Sequence, residues 1–164
     1  MKTLYLIGGT MGVGKTTVSQ QLKMQLDNSV FLDGDWCWDA HPFQVTEETK
    51  EMVLNNICTI LNNFLQCSVY ENIIFCWVMH EQSIINTILA RLNPADCRVI
   101  PISLLCSKEK LVQRLEQDVA AGVRTDDVIQ RSVERIGLYQ NLNTIKIDTS
   151  DKSVAAIVKE IAAL

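Results

Sequence analysis

The stretch Leu6–Thr17, LIGGTMGVGKTT, runs from an apolar segment through four glycines into a lysine and two threonines. Within it, Gly9 to Thr16 satisfy GxxxxGK[ST] in full, behind an apolar strand pattern and ahead of a helical one. Glycines permit the positive φ angles that turn successive backbone N–H groups inward, which makes a concave nest for phosphate oxygens. A helix starting near Lys15 adds its unpaired N–H groups and the positive end of its dipole. Gly9, Thr10, Met11, Gly12, Val13, Gly14, Lys15, Thr16 and Thr17 therefore form the expected phosphate cradle. Lys15 would reach the β- and γ-phosphates of a nucleoside triphosphate, and the Thr16 hydroxyl would ligate magnesium.

Outward from this loop, short apolar runs alternate with segments of helical periodicity, the pattern of a parallel sheet covered by helices. The strand candidates are Thr3 to Ile7, Val30 to Leu32, Asn72 to Val78, Val99 to Leu105 and Thr144 to Ile147. Pro101 conflicts with a regular fourth strand because it lacks a backbone donor, so that strand is expected to begin at Ile102 or to be irregular. Val18, Leu22 and Leu26 recur on one face of the helix after the loop. A longer helix follows Thr46, its expected N-cap, with Glu47 and Glu48 in the first turn and Val53, Ile57, Ile60, Leu61, Phe64 and Leu65 on one stripe. Ile84, Ile85, Ile88, Leu89 and Leu92 mark another helix, stopped by Asn93-Pro94, and Val154, Ile157, Val158 and Ile161 mark the last, with Ser150 as its cap. Between Ser107 and Tyr139 two helices are expected, broken near Ala121-Gly122-Val123.

The 164 residues suit one domain, 1–164, with no repeat or linker to divide it. A formal net charge of -4 disfavours a broad footprint on nucleic acid or an anionic membrane, so affinity for an anion must be held locally. No apolar run approaches the ~20 residues of a membrane span, and the first seven residues fall short of a secretion signal. The six cysteines form no CxxC pair and all but Cys37 lie in apolar segments, which reads as reduced thiols and a cytoplasmic setting. Monomer and homodimer both remain open.

A second acidic site follows the second strand: Phe31-Leu32-Asp33-Gly34-Asp35 carries two carboxylates either side of a glycine. In a doubly wound sheet the ligand edge lies outside the carboxyl ends of the strands, which puts Asp33 and Asp35 beside the phosphate loop. One could hold magnesium-bound water and the other accept a proton from a substrate hydroxyl; an acidic turn in solvent is the plainer reading of Asp-Gly.

The spacing GxxGxGKT, the DGD after an apolar strand, and His41-Pro42 beyond it together resemble the small-molecule kinases of the P-loop superfamily, above all the gluconate kinase and shikimate kinase group. The resemblance implies a three-layer α/β fold, a five-stranded parallel sheet of order 2-3-1-4-5, and a helical lid at about residues 107–139. It implies ATP and Mg2+ as cofactors, Asp33 on hydrated magnesium, and Asp35 on the substrate as the base. The Leu111–Leu115 segment looks like the helix that presents an arginine, here Arg114, to adenine or phosphates. Arg124, with Arg131 and Arg135, looks like a lid element, and Asp148-Thr149-Ser150 resembles the loop that brushes adenine. Lys15, Asp33, Asp35 and Arg124 are thus the expected catalytic residues, Thr16 and Asp33 the metal ligands, and Arg114 and Thr149 further nucleotide contacts.

The chain departs from the wider superfamily at the third strand, which ends in Val78-Met79-His80-Glu81 without the usual acid. His80 and Glu81 could touch substrate or water at that edge; a satisfied strand-end histidine and a helix-capping glutamate are the alternatives. Trp36, Trp38, His41 and Phe43 follow DGD and could clamp a sugar or base, or seal the core. No arginine precedes Arg91, which favours a neutral, hydroxyl-bearing acceptor. The expected activity is ATP-dependent transfer of the γ-phosphate to a hydroxyl of a small molecule. A nucleoside or nucleotide kinase, or a nucleotide-binding regulatory module without transfer, is the alternative.

Overall fold

The computed structural model describes residues 1–93 and 96–164. Alternation of buried side chains along each strand builds a sheet with two apolar faces. The strands are β1 (Lys2–Gly8), β2 (Ser29–Asp33), β3 (Asn72–Cys76), β4 (Cys97–Leu105) and β5 (Ile145–Asp148). They pair in parallel in the order β2-β3-β1-β4-β5, as the resemblance implied. The helices are α1 (Lys15–Gln25), α2 (Glu47–Gln66), α3 (Gln82–Arg91), α4 (Lys108–Ala120), α5 (Asp127–Arg135) and α6 (Val154–Ala162).

Period-two alternation sends Tyr5 and Ile7 of β1 into one core, with Leu22 of α1, Leu111 and Leu115 of α4, and Ile157 and Ile161 of α6. Leu4 and Leu6 face the opposite core, formed with Val53, Ile57, Leu61 and Leu65 of α2 and Ile85 and Ile88 of α3. Burying a Leu or Ile side chain fully is worth about 1.5–3 kcal/mol, so these two cores dominate the stability of the sheet's central strands. The α2 stripe is buried at Val53, Ile57, Leu61 and Leu65, with Ile60 and Phe64 at its margin. Thr46 caps α2 as expected: its hydroxyl accepts from the Thr49 N–H at 3.1 Å.

Several boundaries differ from the sequence reading. β4 runs unbroken through Pro101, because β5 pairs with it only from Ile102 onward and leaves that flank open at the proline. β3 stops at Cys76, two residues short, and the chain turns through Met79 at φ 39. The cap of α6 is Ser153, whose hydroxyl accepts from the Ala156 N–H; Ser150 is instead taken up by Asp148, which receives both its N–H and its hydroxyl. α3 ends at Arg91, while Pro94 of the expected stop lies outside the described residues. The break between α4 and α5 falls where expected, with Gly122 at φ 72.

Among the described residues, no helix is long and apolar enough to cross a membrane. All six cysteines are free thiols, with Cys58, Cys76 and Cys106 buried.

Candidate active site

The loop between β1 and α1 opens at the carboxyl edge of the sheet. Gly14 precedes α1 at φ 104, a conformation that side chains resist, and no side chain caps the helix start, so its first N–H groups face outward. Gly12 is required for a second reason: a Cβ there would meet Leu115 of α4 at 2.5 Å. The loop is thereby pressed onto the helix that carries Arg114.

Lys15 reaches back over the loop and donates to the Thr10 carbonyl at 3.1 Å. Its pKa is lowered by burial, against the fields of the Asp35 and Asp33 carboxylates, which hold the proton on. The Thr16 hydroxyl donates to Asp33 Oδ2 at 2.7 Å. Asp33, only 5% exposed, also accepts the Asp35 N–H through Oδ1 at 3.0 Å. Thr16, Asp33 and Asp35 are thus joined in one hydrogen-bonded series beside Lys15.

Asp35 itself is open to solvent, and its pKa is raised, by desolvation of the carboxyl first and by the Asp33 charge next. Lys15, the Trp77 indole and Arg124 act in the opposite direction. Trp77 also lies against Gly34, where an added Cβ would meet its ring at 2.5 Å. The glycine of DGD is therefore a packing requirement of the indole. Sequence reasoning missed Trp77, which it placed inside the expected third strand; β3 ends one residue before it.

At the position where an acid was absent, Cys76 pairs in register with Asp33. Burial, and then the Asp33 charge, push its thiol up to about 12, so it stays neutral and supplies no charge for a cation. The Thr16 hydroxyl and the Asp33 carboxylate are adjacent hard oxygens, the donor type magnesium prefers, and magnesium commonly completes its shell with phosphate oxygens and water. Among the described residues, no group of three or more His, Cys, Asp and Glu side chains could hold a metal.

On the other side of the loop, Arg114 donates to the Val13 carbonyl at 3.2 Å, the Thr149 hydroxyl at 3.3 Å and the Thr149 carbonyl at 3.1 Å. Thr149 is fixed in turn, since its N–H and hydroxyl both donate to the Leu105 carbonyl. A cavity of about 180 Å³ opens there, lined by Gly14, Thr17, Arg114, Thr149 and Lys152 among others. Lys152, bonded to Glu160 at 2.6 Å, was not anticipated.

The lid residues divide. Arg124 is held by Asp118 at 2.9 Å, and its field reaches both Lys15 and Asp35. Arg131 pairs with Asp127 at 3.7 Å on the exposed face of α5. Arg135 faces His80 and Tyr139 electrostatically. The Thr10 hydroxyl, buried, donates to the Ser132 carbonyl of α5 at 2.8 Å, so the phosphate loop and the lid are directly tied. Met11 packs at the margin of the core instead of facing the loop's mouth.

His80 is half-buried with its pKa lowered by burial first and by Arg135 second; Nδ1 has no partner and Nε2 lies 3.5 Å from Glu81. Glu81 stands at the start of α3 without capping it through its side chain. The four residues after DGD do not form one cluster. Trp36 packs edge-on to Phe31 with ring centroids 5.2 Å apart, Trp38 packs on Phe43 at 4.6 Å, and His41 is exposed. Beside Trp38 is a second cavity, about 390 Å³, between the segment after DGD and the first turns of α2.

Comparison with known proteins agrees with this geometry. Residues 6–136 match the sequence profile of a family described as AAA domain, and the chain belongs to that family. No curated protein sequence matches the chain. Its fold is that of the P-loop kinases. A gluconokinase from Sinorhizobium meliloti 1021 superposes with a TM-score of 0.72 at 16% identity, over 98% of this chain and 90% of that one. The tunicamycin resistance protein of Deinococcus radiodurans gives 0.76 at 16% identity, over 99% and 95%. A shikimate kinase from Acinetobacter baumannii, solved with shikimate, gives 0.63 at 20% identity, over 99% and 91%.

Proposed function

We propose that the chain is an ATP-dependent phosphotransferase that moves the γ-phosphate to a hydroxyl of a small molecule. The observation that carries this reading is the hydrogen-bonded series Thr16–Asp33–Asp35 beside Lys15 at the mouth of the glycine loop. It combines a phosphate cradle, a pair of oxygens fit for magnesium, and a solvent-open carboxylate for the acceptor. The kinase fold of its structural neighbours supports the same reading.

The loop amides and Lys15 bind the β- and γ-phosphates, and Lys15 exchanges the Thr10 carbonyl for phosphate oxygens as the triphosphate enters. Thr16 and Asp33 would hold magnesium, which would neutralise phosphate charge. Arg114 and Thr149 frame the nucleoside side. Asp35 orients the acceptor hydroxyl and takes its proton while the acceptor oxygen bonds to the γ-phosphorus and the bond to the ADP oxygen breaks. Arg124 adds positive charge over the transferring group once Asp118 releases it. Positioning and charge neutralisation supply most of the acceleration in such chemistry.

The test is ADP release from Mg·ATP measured across a panel of alcohols, with Asp35→Asn alongside. One class of acceptor is expected to stimulate turnover, and Asp35→Asn is expected to lose about a hundredfold or more of it while binding ATP normally. Full stimulated activity in Asp35→Asn contradicts its role as base.

A further inference from the structure

The cavity of about 390 Å³ beside Trp38 lies within the volume range of small-molecule sites and is separate from the nucleotide-side cavity at Arg114. Its wall begins in the turn that holds the proposed base. Asp35 and Cys37 belong to one 3-10 turn, Gly34–Cys37, and the Trp38 N–H donates to the Asp35 carbonyl at 3.3 Å. Two residues span at most about 7 Å of chain, so the Cys37 wall of this cavity lies no farther than that from the Asp35 backbone.

The lining is apolar at Cys37, Trp38, Pro42 and Met52, and its polar members include Gln44 and the carboxylate of Asp39. Among the described residues, no lysine, arginine or histidine lines it. The cations on the neighbouring helices are already answered: Lys50 pairs with Glu47 at 2.9 Å, and both oxygens of Glu51 accept from Arg91 at 2.8 Å. Arg135 faces His80 on the lid side and is not part of this wall. A carboxylate or phosphate seated here would meet Asp39 and no counter-charge, which costs rather than gains.

The rim of the cavity is apolar and open to solvent. Phe43 is 60% and Met52 43% accessible, next to the Trp38 ring that Phe43 backs. Aromatic faces of this kind take flat partners by offset stacking.

We infer that the phosphoryl acceptor is an alcohol with a flat apolar body and no carboxylate or phosphate, seated against Trp38 between the segment after DGD and the start of α2. The inference rests on the proposed phosphoryl transfer and names the substrate class of that same site. It sets this chain apart from an acceptor site built around an acid.

The experiment is ADP release by the full chain with four acceptor arms at equal concentration: nucleosides and aryl alcohols, aliphatic polyols, hydroxy acids, and sugar phosphates. Tryptophan fluorescence is titrated with the same compounds in the presence of Mg·ADP. The nucleoside and aryl arm is expected to give the highest kcat/KM and to quench a signal that Trp38→Phe loses. Trp38→Ala and, independently, the surface change Met52→Ala are expected to raise the acceptor KM, the former about tenfold, with the ATP KM unmoved. Asp39→Lys is expected to improve hydroxy acids selectively. A best acceptor among hydroxy acids, sugar phosphates or aliphatic polyols overturns the inference, as does an acceptor KM indifferent to both Trp38→Ala and Met52→Ala. Quenching by the flat compounds without any phosphoryl transfer supports the cavity and contradicts the kinase reading. Transfer without Trp38-dependent quenching does the reverse.

Discussion

The two sides of the phosphate loop are built differently. On the proposed nucleotide side Arg114 ties Val13 to Thr149, Thr149 is tied to Leu105, and the cavity there is small. On the proposed acceptor side residues 39–48 are exposed, aromatic and methionine side chains face water, and the cavity is about twice as large. A rigid cradle suits a ligand whose triphosphate tail never varies, since preorganised amides need no rearrangement when the charge arrives. An open apolar shelf leaves identity to the second substrate. On the proposed reading, the grip on phosphate would lie in backbone and the choice of acceptor in loop side chains.

The largest effect is expected from Lys15→Ala, which removes the ammonium that lies over the loop. Phosphoryl transfer should fall about a hundred- to thousandfold with circular dichroism unchanged. Retained transfer would mean that the amides alone suffice. Arg114→Ala should loosen only the braced side, raising the ATP KM about tenfold while the acceptor KM holds, as read from initial rates. An equal rise in both constants would erase the division. Gly34→Ala drives a methyl into the Trp77 ring at the joint between the two sides and should cost about 1–3 kcal/mol in thermal unfolding. Trp77→Ala in the same chain should return part of that loss.

The smallest expected effect sharpens the electrostatic link across the joint. The Arg124 charge lowers the Asp35 pKa, so Arg124→Gln raises it. A base must be unprotonated to work, and the acidic limb of kcat/KM should therefore move to higher pH, in addition to any loss of rate. A limb that stays in place would remove Arg124 from the field of the base.

Much of the fold could be read along the chain because β1, the glycine loop and α1 obey local rules. The Thr46 cap and the α2 stripe are likewise local and fell where periodicity put them. The strand order came from resemblance, since nothing in the β5 residues names their neighbour. β4 escaped because the tolerance for Pro101 depends on where β5 begins to pair, a fact of register and not of propensity. Ser150 and Ser153 are equally good caps in sequence, and only the demand of Asp148 on Ser150 separates them.

In the site, Lys15, Thr16, Asp33 and Asp35 were readable because motif spacing sets them on one sheet edge. Trp77 against Gly34, and Asp118 holding Arg124, were not, because each joins elements far apart in sequence or competes with several equivalent partners. Trp38 and Phe43 were legible as candidates behind DGD, but the cavity beside Trp38 was not, since it forms where one loop crosses the start of one helix.

The central claim is that backbone amides from Gly9 onward, with Lys15, grip a triphosphate. Calorimetric titration of the full chain with Mg·ATP tests it most directly. The account predicts saturable heat at one site per chain, lost in Lys15→Ala; no heat from either Mg·ATP or Mg·GTP would contradict it.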